Sequence, residues 1–343
     1  MIRVAEKVLI TGASGLIGSH LCGLLLSKGR KVRILIRENS NLNRLQAVMK
    51  FYFPKEENPI HQVEICKGDV TDYFSLLEAL EGIHAVYHCA GLVDFDDSNY
   101  KELHRINADG TANVVNACLE MKISLLQHVS SVAVFSDPED GIVSEKSHWK
   151  SSRENSAYAV SKYNAEREVW RGKEEGLNVI VTNPVLVVGP GCIGEGSGAL
   201  VTQAKKKFPF YTSGSTGFVD VRDVVRAMYL IEEKEIYNQR FILCGENLSF
   251  LNAFSFFNTA FSHRPPGFLI PKLVLWILSR IESFLHLFFS FKRRLTKSAI
   301  RSACSEKRYS SEKFLSQVDF KFTGIEKSIV DTCQFYKDFQ KLS

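Results

Sequence analysis

Two residues four positions apart, Tyr158 and Lys162, carry the side chains best suited to proton transfer in this sequence. On a helix, positions i and i+4 share one face, so a phenol and an ammonium group can lie side by side. A free phenol has a pKa of about 10, and a nearby positive charge is expected to lower the pKa of Tyr158. The pair is therefore expected to act as a general acid or base.

A hydroxyl group at the end of a neighbouring strand would complete such a site. Residues 128–135 supply two, Ser130 and Ser131. Successive side chains of an extended backbone point in opposite directions, so one of the two is expected to be structural. We expect Ser131 to donate to a substrate carbonyl oxygen and orient it.

A glycine-rich turn near the start of the chain has the properties of a dinucleotide site. Its glycines have the spacing G-x-x-G-x-x-G between an apolar strand and a helix. Glycine permits a tight turn and a close approach of a pyrophosphate, and the helix N-terminus offers unpaired N–H groups. The predicted cofactor contacts of this turn are Gly12, Ser14, Gly15, Leu16 and Ile17.

The residues after the second predicted strand bear on the choice between NAD and NADP. An NAD site usually places Asp or Glu there, where the carboxylate accepts from the ribose hydroxyls. Here Arg37 follows the strand, with Glu38 next and Arg44 nearby. A guanidinium group binds a 2′-phosphate bidentately, which favours NADP. Glu38 keeps NAD open as the alternative.

Two further strand ends carry cofactor candidates. Asp69 and Val70 follow the third predicted strand, where an acid and a backbone amide could contact an adenine. Ala90 and Gly91 follow the fourth strand, where small side chains allow a cofactor to approach closely. Ordinary tight loops are the alternative interpretation of both segments.

These groups need a scaffold that brings several strand ends together. Apolar segments predict strands at 8–10, 32–36, 63–66, 85–89, 125–130, 179–182 and 240–244. Helical patterns lie at 16–27, 74–81, 99–120 and 156–175, and a further helix is predicted to begin at 219–225. This alternation predicts an α/β fold, a Rossmann-type doubly wound parallel sheet that binds ligands at the carboxyl ends of its strands.

The pattern changes after residue 186, where a glycine-rich loop is followed by mostly helical, aromatic sequence. We predict an NAD(P)-binding Rossmann domain over residues 1–186, to which 218–245 return. Residues 187–343 are predicted to form mainly a smaller, mostly helical C-terminal substrate-binding lobe.

Taken together, the motifs resemble the extended short-chain dehydrogenase/reductases, also called the NAD-dependent epimerase/dehydratase family. The resemblance covers about residues 8–225 and includes two further segments, Asn107-Ala108-Asp109-Gly110-Thr111 and Asn183-Pro184 with Val188-Gly189-Pro190. Within the family, the chain is most similar to the dihydroflavonol 4-reductase-like group, with 3β-hydroxysteroid dehydrogenase as a neighbour. Residues 32–37, 183–190 and 219–223 carry that closer match.

The resemblance implies that Ser131, Tyr158 and Lys162 are catalytic and that Asn107 supports them. It also implies that Pro184 and Val187 contact the cofactor, as do Tyr158 and Lys162, whose ammonium group can hold the ribose hydroxyls and so fix the nicotinamide. The implied reaction is hydride transfer between NADP and a ketone or aldehyde, or the reverse oxidation of the alcohol.

Two other functions stay open. One is a sugar-nucleotide epimerase or dehydratase with tightly bound NAD, although such enzymes usually have an acid where this chain has Ile36-Arg37. The other is a non-catalytic dinucleotide sensor, which is disfavoured because such relatives usually lose the tyrosine or the lysine.

Charge and cysteine spacing bear on which kinds of partner the protein is expected to bind. The net charge is only +5, and most of the basic excess lies in one stretch at 291–308 instead of along a whole face, so we do not expect nucleic acid as a partner. The eight cysteines include no Cys-x-x-Cys pair and no zinc-like spacing with histidine, so we do not expect a metal. The first residues are too polar for a secretory signal, which predicts a cytoplasmic protein.

An apolar stretch at 268–291 is followed by the basic cluster Lys292-Arg293-Arg294. It could cap the substrate pocket, or residues 268–297 could lie on a membrane surface as an amphipathic helix. Both alternatives predict an apolar or amphipathic substrate. A homodimer is a further open alternative.

Overall fold

The computed structural model describes residues 6–94, 96–137, 141–194, 198–207, 209–285 and 295–342. The strands are, in chain order, β1 (Lys7–Thr11), β2 (Lys31–Ile36), β3 (Glu64–Lys67), β4 (Ala85–His88), β5 (Leu125–Val129), β6 (Ile142–Val143), β7 (Val179–Pro184), β8 (Leu186–Val188), β9 (Phe210–Tyr211), β10 (Ser215–Asp220), β11 (Gln239–Leu243), β12 (Glu246–Ser249), β13 (Phe268–Leu269) and β14 (Arg308–Tyr309).

The α-helices are α1 (Leu16–Ser27), α2 (Asn43–Tyr52), α3 (Tyr73–Leu80), α4 (Tyr100–His104), α5 (Gly110–Glu120), α6 (Ala157–Glu174), α7 (Gly198–Lys205), α8 (Val221–Glu233), α9 (Phe250–Ala260), α10 (Lys272–Leu285), α11 (Lys297–Cys304), α12 (Glu312–Gln317) and α13 (Ile325–Leu342). Short 3-10 helices lie at Pro59–Gln62, Asp97–Asn99 and Val132–Val134, and a π-helical turn, Arg105–Asp109, joins α4 to α5. Within the described ranges, no helix is long and apolar enough to cross a membrane.

Seven strands form one parallel sheet in the order β11-β7-β5-β4-β1-β2-β3. The chain runs from β1 to β3 on one side and then crosses to β4, so the order reverses between β1 and β4. Ligands of such sheets bind at the carboxyl ends of the strands beside this reversal. The predicted Rossmann-type fold is therefore confirmed.

Buried side chains cover both faces of the sheet. Val8 and Ile10 of β1 pack on one face with Leu21 of α1, whereas Leu9 packs on the other face with Val115 of α5. This alternation follows from the two-residue repeat of a strand. Burial of each such aliphatic side chain contributes about 2 kcal/mol to stability, so packing on both faces fixes the sheet whose carboxyl end carries the loops of the site.

The C-terminal part is mostly helical, as predicted, and includes α9 to α13. A small sheet of β8, β10 and β12 lies outside the seven-stranded sheet, and Phe257, Ile325 and Ile329 pack in a separate cluster beside it. By contrast, β11 returns to the edge of the large sheet next to β7. The division into two domains at residue 186 stays a prediction.

One local prediction differs from the structure, and one helix with a buried face was not predicted. Residues 219 and 220, predicted to begin a helix, end β10 instead; α8 begins at Val221 because the buried carboxylate of Asp220 accepts from the backbone nitrogen of Arg222 at 2.7 Å. Helix α2 was not predicted, although Leu45, Val48 and Met49 recur at helical spacing and are buried.

Candidate active site

The glycine turn packs directly against the end of β4. Gly12 has a φ of +72°, and a side-chain carbon there would lie 2.5 Å from the backbone nitrogen of Ala90. A side-chain carbon on Gly18 would overlap the backbone of Gly12. Helix α1 begins after Gly15 with no side-chain cap and no acidic residue in its first turn. Its first N–H groups therefore suit an anion such as a pyrophosphate.

Arg44 braces this turn from α2. Its guanidinium group donates to the backbone oxygen of Ser14 at 3.3 Å and to that of Ile193 at 2.6 Å. Burial lowers the pKa of Arg44 below its ordinary value. Arg44, one of the predicted cofactor contacts, thus joins the glycine turn to the loop that follows β8.

Arg37 and Glu38, which follow β2, have different surroundings. The carboxylate of Glu38 accepts from Nζ of Lys67 at 2.6 Å. Arg37 is exposed, and no hydrogen bond or salt bridge to another described residue involves its guanidinium group. Glu38, which could bind a ribose, is therefore paired with Lys67, whereas Arg37 is available to bind a phosphate.

The loop after β3 is fixed by local hydrogen bonds. The backbone nitrogen and the hydroxyl group of Thr71 both donate to Oδ1 of Asp69 at 2.8 Å. Asn113 of α5 donates to the backbone oxygen of Val70 at 3.1 Å. The two predicted adenine contacts therefore sit in a rigid loop at the carboxyl edge of the sheet.

A buried polar chain connects the turn to the helix that carries Asn107. Nδ1 of His88 lies 2.7 Å from the hydroxyl group of Thr11, and its Nε2 lies 2.9 Å from the hydroxyl group of Thr111. Thr111 donates onward to the backbone oxygen of Asn107 at 2.6 Å. Burial lowers the pKa of His88 to about 3, so its imidazole is neutral at physiological pH.

Asn107 lies in the π-helical turn, a distortion that is frequent at functional sites. Its amide nitrogen donates to the backbone oxygen of Leu92 and to the hydroxyl group of Ser161, both at 2.9 Å. Ser161 in turn donates to the backbone oxygen of Tyr158 at 2.8 Å. Asn107 therefore links the loop that contains Gly91 to the first turn of α6.

The three predicted catalytic residues converge at the carboxyl end of β5. The hydroxyl groups of Ser131 and Tyr158 are hydrogen-bonded to each other. Nζ of Lys162 donates to the backbone oxygen of Val129 at 2.8 Å, and a side-chain carbon on Gly91 would lie 3.9 Å from the same Nζ. The triad thus borders the loop at the end of β4, against which the glycine turn packs.

The pKa of Tyr158 differs from the expectation. We expected Lys162 to lower it, but burial raises the pKa of Tyr158, and the hydrogen bond with Ser131 offsets this only in part. Burial lowers the pKa of Lys162 to about 8, against the opposing charge of Glu166. The expectation was wrong because removal of the phenol from water favours its neutral form. A phenol that stays protonated suits a proton donor.

Two side chains that the sequence analysis missed fix the start of α6. Ser156 accepts from the backbone nitrogen of Ala159 at 3.1 Å, and Asp97 accepts from that of Ala157 at 2.9 Å. Ser156 is a preferred N-cap residue, so its position was readable from the sequence. Together these caps hold the helical turn that contains Tyr158.

Glu166 was also missed. Its carboxylate accepts from Ser130 at 2.7 Å and from Asn183 at 2.9 Å, and it pairs with Arg240 of β11 at 3.2 Å. Ser130 is therefore the serine that points away from Tyr158. The carboxylate thus ties α6 to β7, to β11 and to the residue that directly follows β5.

Pro184 and Val187 occupy different sheets. Pro184 lies at the carboxyl end of β7, next to β5. Val187 lies in β8 and pairs with Val219 of β10, outside the seven-stranded sheet. The structure brings Pro184 to the edge that carries the triad, and Val187 to the adjoining small sheet.

A glycine turn beside the reversal point of a parallel sheet, with a Tyr/Lys pair at the neighbouring strand ends, defines a dinucleotide-binding enzyme of the Rossmann class. The chain belongs to the NAD-dependent epimerase/dehydratase family, whose family model matches residues 8–244.

Relatives with reductase names and epimerases with the same fold both occur among similar proteins. The chain is 26% identical to sterol demethylase protein B of Methylococcus capsulatus over 96% of this chain and 98% of the relative. It is 32% identical to cinnamoyl-CoA reductase 1 of Petunia hybrida over 71% of this chain and 73% of the relative. A nucleoside-diphosphate-sugar epimerase from Pseudomonas aeruginosa has the same fold, with a TM-score of 0.76, 17% identity and 98% of each chain covered.

Proposed function

We propose that the protein is an NADP-dependent oxidoreductase that reduces a ketone or aldehyde of an apolar or amphipathic small molecule, or oxidises the corresponding alcohol. The convergence of Ser131, Tyr158 and Lys162 at one strand end carries this proposal. The name of the Petunia relative, a reductase, supports it.

In the reductive direction, Ser131 orients the carbonyl oxygen of the substrate and Tyr158 donates its phenolic proton to that oxygen. The raised pKa of Tyr158 keeps this proton in place at neutral pH. Lys162, which is charged below a pH of about 8, stabilises the phenolate that remains. In the oxidative direction, the phenolate accepts the proton of the alcohol.

The proposed cofactor contacts are the first turn of α1, Arg44, the loop of Asp69 and Val70, and the small residues Ala90 and Gly91. The bound nicotinamide supplies the hydride that the carbonyl carbon receives. NADP is favoured over NAD because Glu38 is engaged by Lys67 while Arg37 is exposed without a salt bridge to any described residue.

The test is NADPH oxidation with a panel of apolar ketones and aldehydes. The panel includes a sterol-sized ketone, because the Methylococcus relative is named for a sterol reaction. Tyr158→Phe should lower kcat roughly 10²- to 10⁴-fold. Tyr163→Phe is the matched control, since Tyr163 stacks on Trp149 at 4.4 Å between ring centroids and a phenylalanine ring preserves that contact. Full turnover by the Tyr158 variant, or none by the wild type across the panel, would contradict the proposal.

A sugar-nucleotide epimerase or dehydratase with tightly bound NAD is the second candidate, because the fold is shared with a sugar-nucleotide epimerase. The exposed Arg37 in place of a ribose-binding acid argues against it. NAD that co-purifies with the protein, together with no net NADPH consumption, would favour this candidate.

A further inference from the structure

Helix α10 turns its apolar side outward. Its inner side is partly polar: Ser279 is buried and donates to the backbone oxygen of Leu295, and Glu282 accepts from the backbone nitrogen of Leu295 at 2.8 Å. The outer side carries seven side chains that are 41% to 70% exposed, Leu273, Val274, Ile277, Leu278, Ile281, Phe284 and Leu285. A helix that packs on a protein core normally has the opposite arrangement. The outer side therefore indicates an apolar partner.

The exposed apolar residues continue beyond α10. Phe268 and Leu269 of β13, which directly precede the helix, are 64% and 49% exposed. Strand β13 pairs with β9, where the ring centroid of Phe210 lies 6.0 Å from that of Phe268. We call Phe210, Phe268, Leu269 and the outer side of α10 the apolar surface. It is contiguous in the chain and across a strand pair, unlike scattered single exposed residues.

Basic residues flank, along the chain, the segments that form this apolar surface. Residues 205–211 and 264–285 contain six exposed lysines and arginines, Lys205, Lys206, Lys207, Arg264, Lys272 and Arg280. The single acid of these segments is Glu282, whose carboxylate is directed at Leu295. The predicted basic cluster at 292–294 lies outside the described residues. An apolar area with a basic margin matches a bilayer surface that contains anionic headgroups.

We propose that the apolar surface docks this protein on a membrane that contains anionic lipids, with α10 lying in the plane of the interface. The inner side of α10 is held by Leu295 and so stays on the protein. A second copy of the chain is a poorer occupant, because a twofold contact would bring two basic margins together.

The docked face is connected to the candidate active site through α11, which packs on α10. Arg301 of α11 donates to the backbone oxygen of Glu154 at 2.9 Å and pairs with its carboxylate at 3.2 Å. Glu154 lies two residues before Ser156, the cap of α6. Delivery of an apolar substrate from the bilayer follows from this arrangement, and that consequence alone rests on the proposed function.

The test is flotation of the purified full chain with vesicles of phosphatidylcholine, either alone or with phosphatidylserine at about four to one. The wild type should float with the anionic vesicles and less in high salt. The triple variant Leu273→Ser/Ile277→Ser/Phe284→Ser should lose binding by about tenfold or more. Phe74→Ser, which removes a side chain that is 75% exposed on α3, is the matched control and should bind like the wild type.

A second variant, Lys206→Glu/Lys272→Glu, should lose the preference for anionic vesicles, since it reverses charge without changing apolar area. Equal thermal unfolding of all variants would show that they are folded. The proposal is overturned if the wild type binds neither vesicle, or if the triple variant binds equally well. It is also overturned if sedimentation shows a wild-type dimer that the triple variant abolishes while vesicles bind neither protein. Tyr158→Phe should float normally, which separates a failure of docking from a failure of the proposed reaction.

Discussion

Glu166 follows Lys162 by one turn of α6, and its carboxylate opposes the burial that lowers the pKa of Lys162. The carboxylate is itself buried and is held by Ser130, Asn183 and Arg240. Because the carboxylate is engaged by these three side chains and lies one turn beyond Lys162, we assign it a positioning role. It keeps the lysine charged and fixes the helix that carries Tyr158.

Replacement of Glu166 by glutamine should change the pH dependence of kcat/KM and not only its magnitude. Glutamine removes the negative charge that favours the ammonium form, so the alkaline limb of kcat/KM should shift to lower pH than in the wild type. Glu168→Gln is the control, because Glu168 pairs with Arg171 on the outer part of the same helix. A lower kcat/KM with an unmoved alkaline limb would mean that Glu166 is merely structural.

The wild-type enzyme should lose reductase activity as the pH rises through about 8. Burial lowers the pKa of Lys162 to that value, so its ammonium form is present below pH 8 and is lost above it. Tyr158, with a raised pKa, stays protonated across this range. The check is the pH profile of kcat/KM, which reports groups of the free enzyme. In Lys162→Arg the limb should move to higher pH; an alkaline limb at the same pH in both proteins would exclude Lys162 as its cause.

The two adjacent serines should respond differently to removal of their hydroxyl groups. Ser131→Ala should lower kcat by roughly 10²-fold, the usual loss for one oriented donor at a reacting oxygen. Ser130→Ala should leave kcat within a few-fold and instead lower the free energy of unfolding by about 1–3 kcal/mol, because Glu166 loses a buried donor. Steady-state kinetics and denaturant unfolding of both variants check this. If Ser130→Ala lost kcat and Ser131→Ala lost only stability, Ser130 would be the serine that faces the substrate.

Cofactor preference should depend on Arg37 and not on Glu38. Arg37→Ser should raise KM for NADPH roughly 10- to 100-fold through loss of charge-assisted hydrogen bonds, with little change for NADH. Glu38→Gln should leave both constants nearly unchanged, because Glu38 is paired with Lys67 on the surface. If Glu38→Gln weakened NADH binding while Arg37→Ser left NADPH binding intact, the protein would be an NAD enzyme.

Much of the fold and of the candidate site was readable from local spacing. Tyr158 and Lys162 had to share a helix face, and the strand ends at Ala90 and Ser131 had to meet at one edge of a parallel sheet. Contacts between segments that are far apart in the sequence could not be predicted from it. Arg240 lies 74 residues from Glu166, and Asp97 lies 60 residues from the nitrogen of Ala157 that it caps. No spacing rule relates such pairs before the topology is known.

Two other features depend on packing in three dimensions. The sign of the pKa shift of Tyr158 depends on its burial, which the four-residue spacing to Lys162 does not report. The apolar character of residues 268–285 was evident, but not which side of the helix faces out. The structure buries Leu275 and Ser279 and exposes Ile277 and Ile281. This orientation favours a membrane contact over a cap on the substrate pocket.

The most direct test of the central claim is transfer of deuterium from NADPH in which both hydrogens at nicotinamide C4 are replaced by deuterium. The wild type is incubated with a carbonyl compound that it turns over, and the product alcohol is analysed by mass spectrometry. We predict one deuterium on the former carbonyl carbon per NADPH oxidised, and a roughly 10²- to 10⁴-fold slower appearance of the same product with Tyr158→Phe. Product that forms without deuterium, or an isomerised substrate with no NADPH consumed, would contradict net reduction by this site.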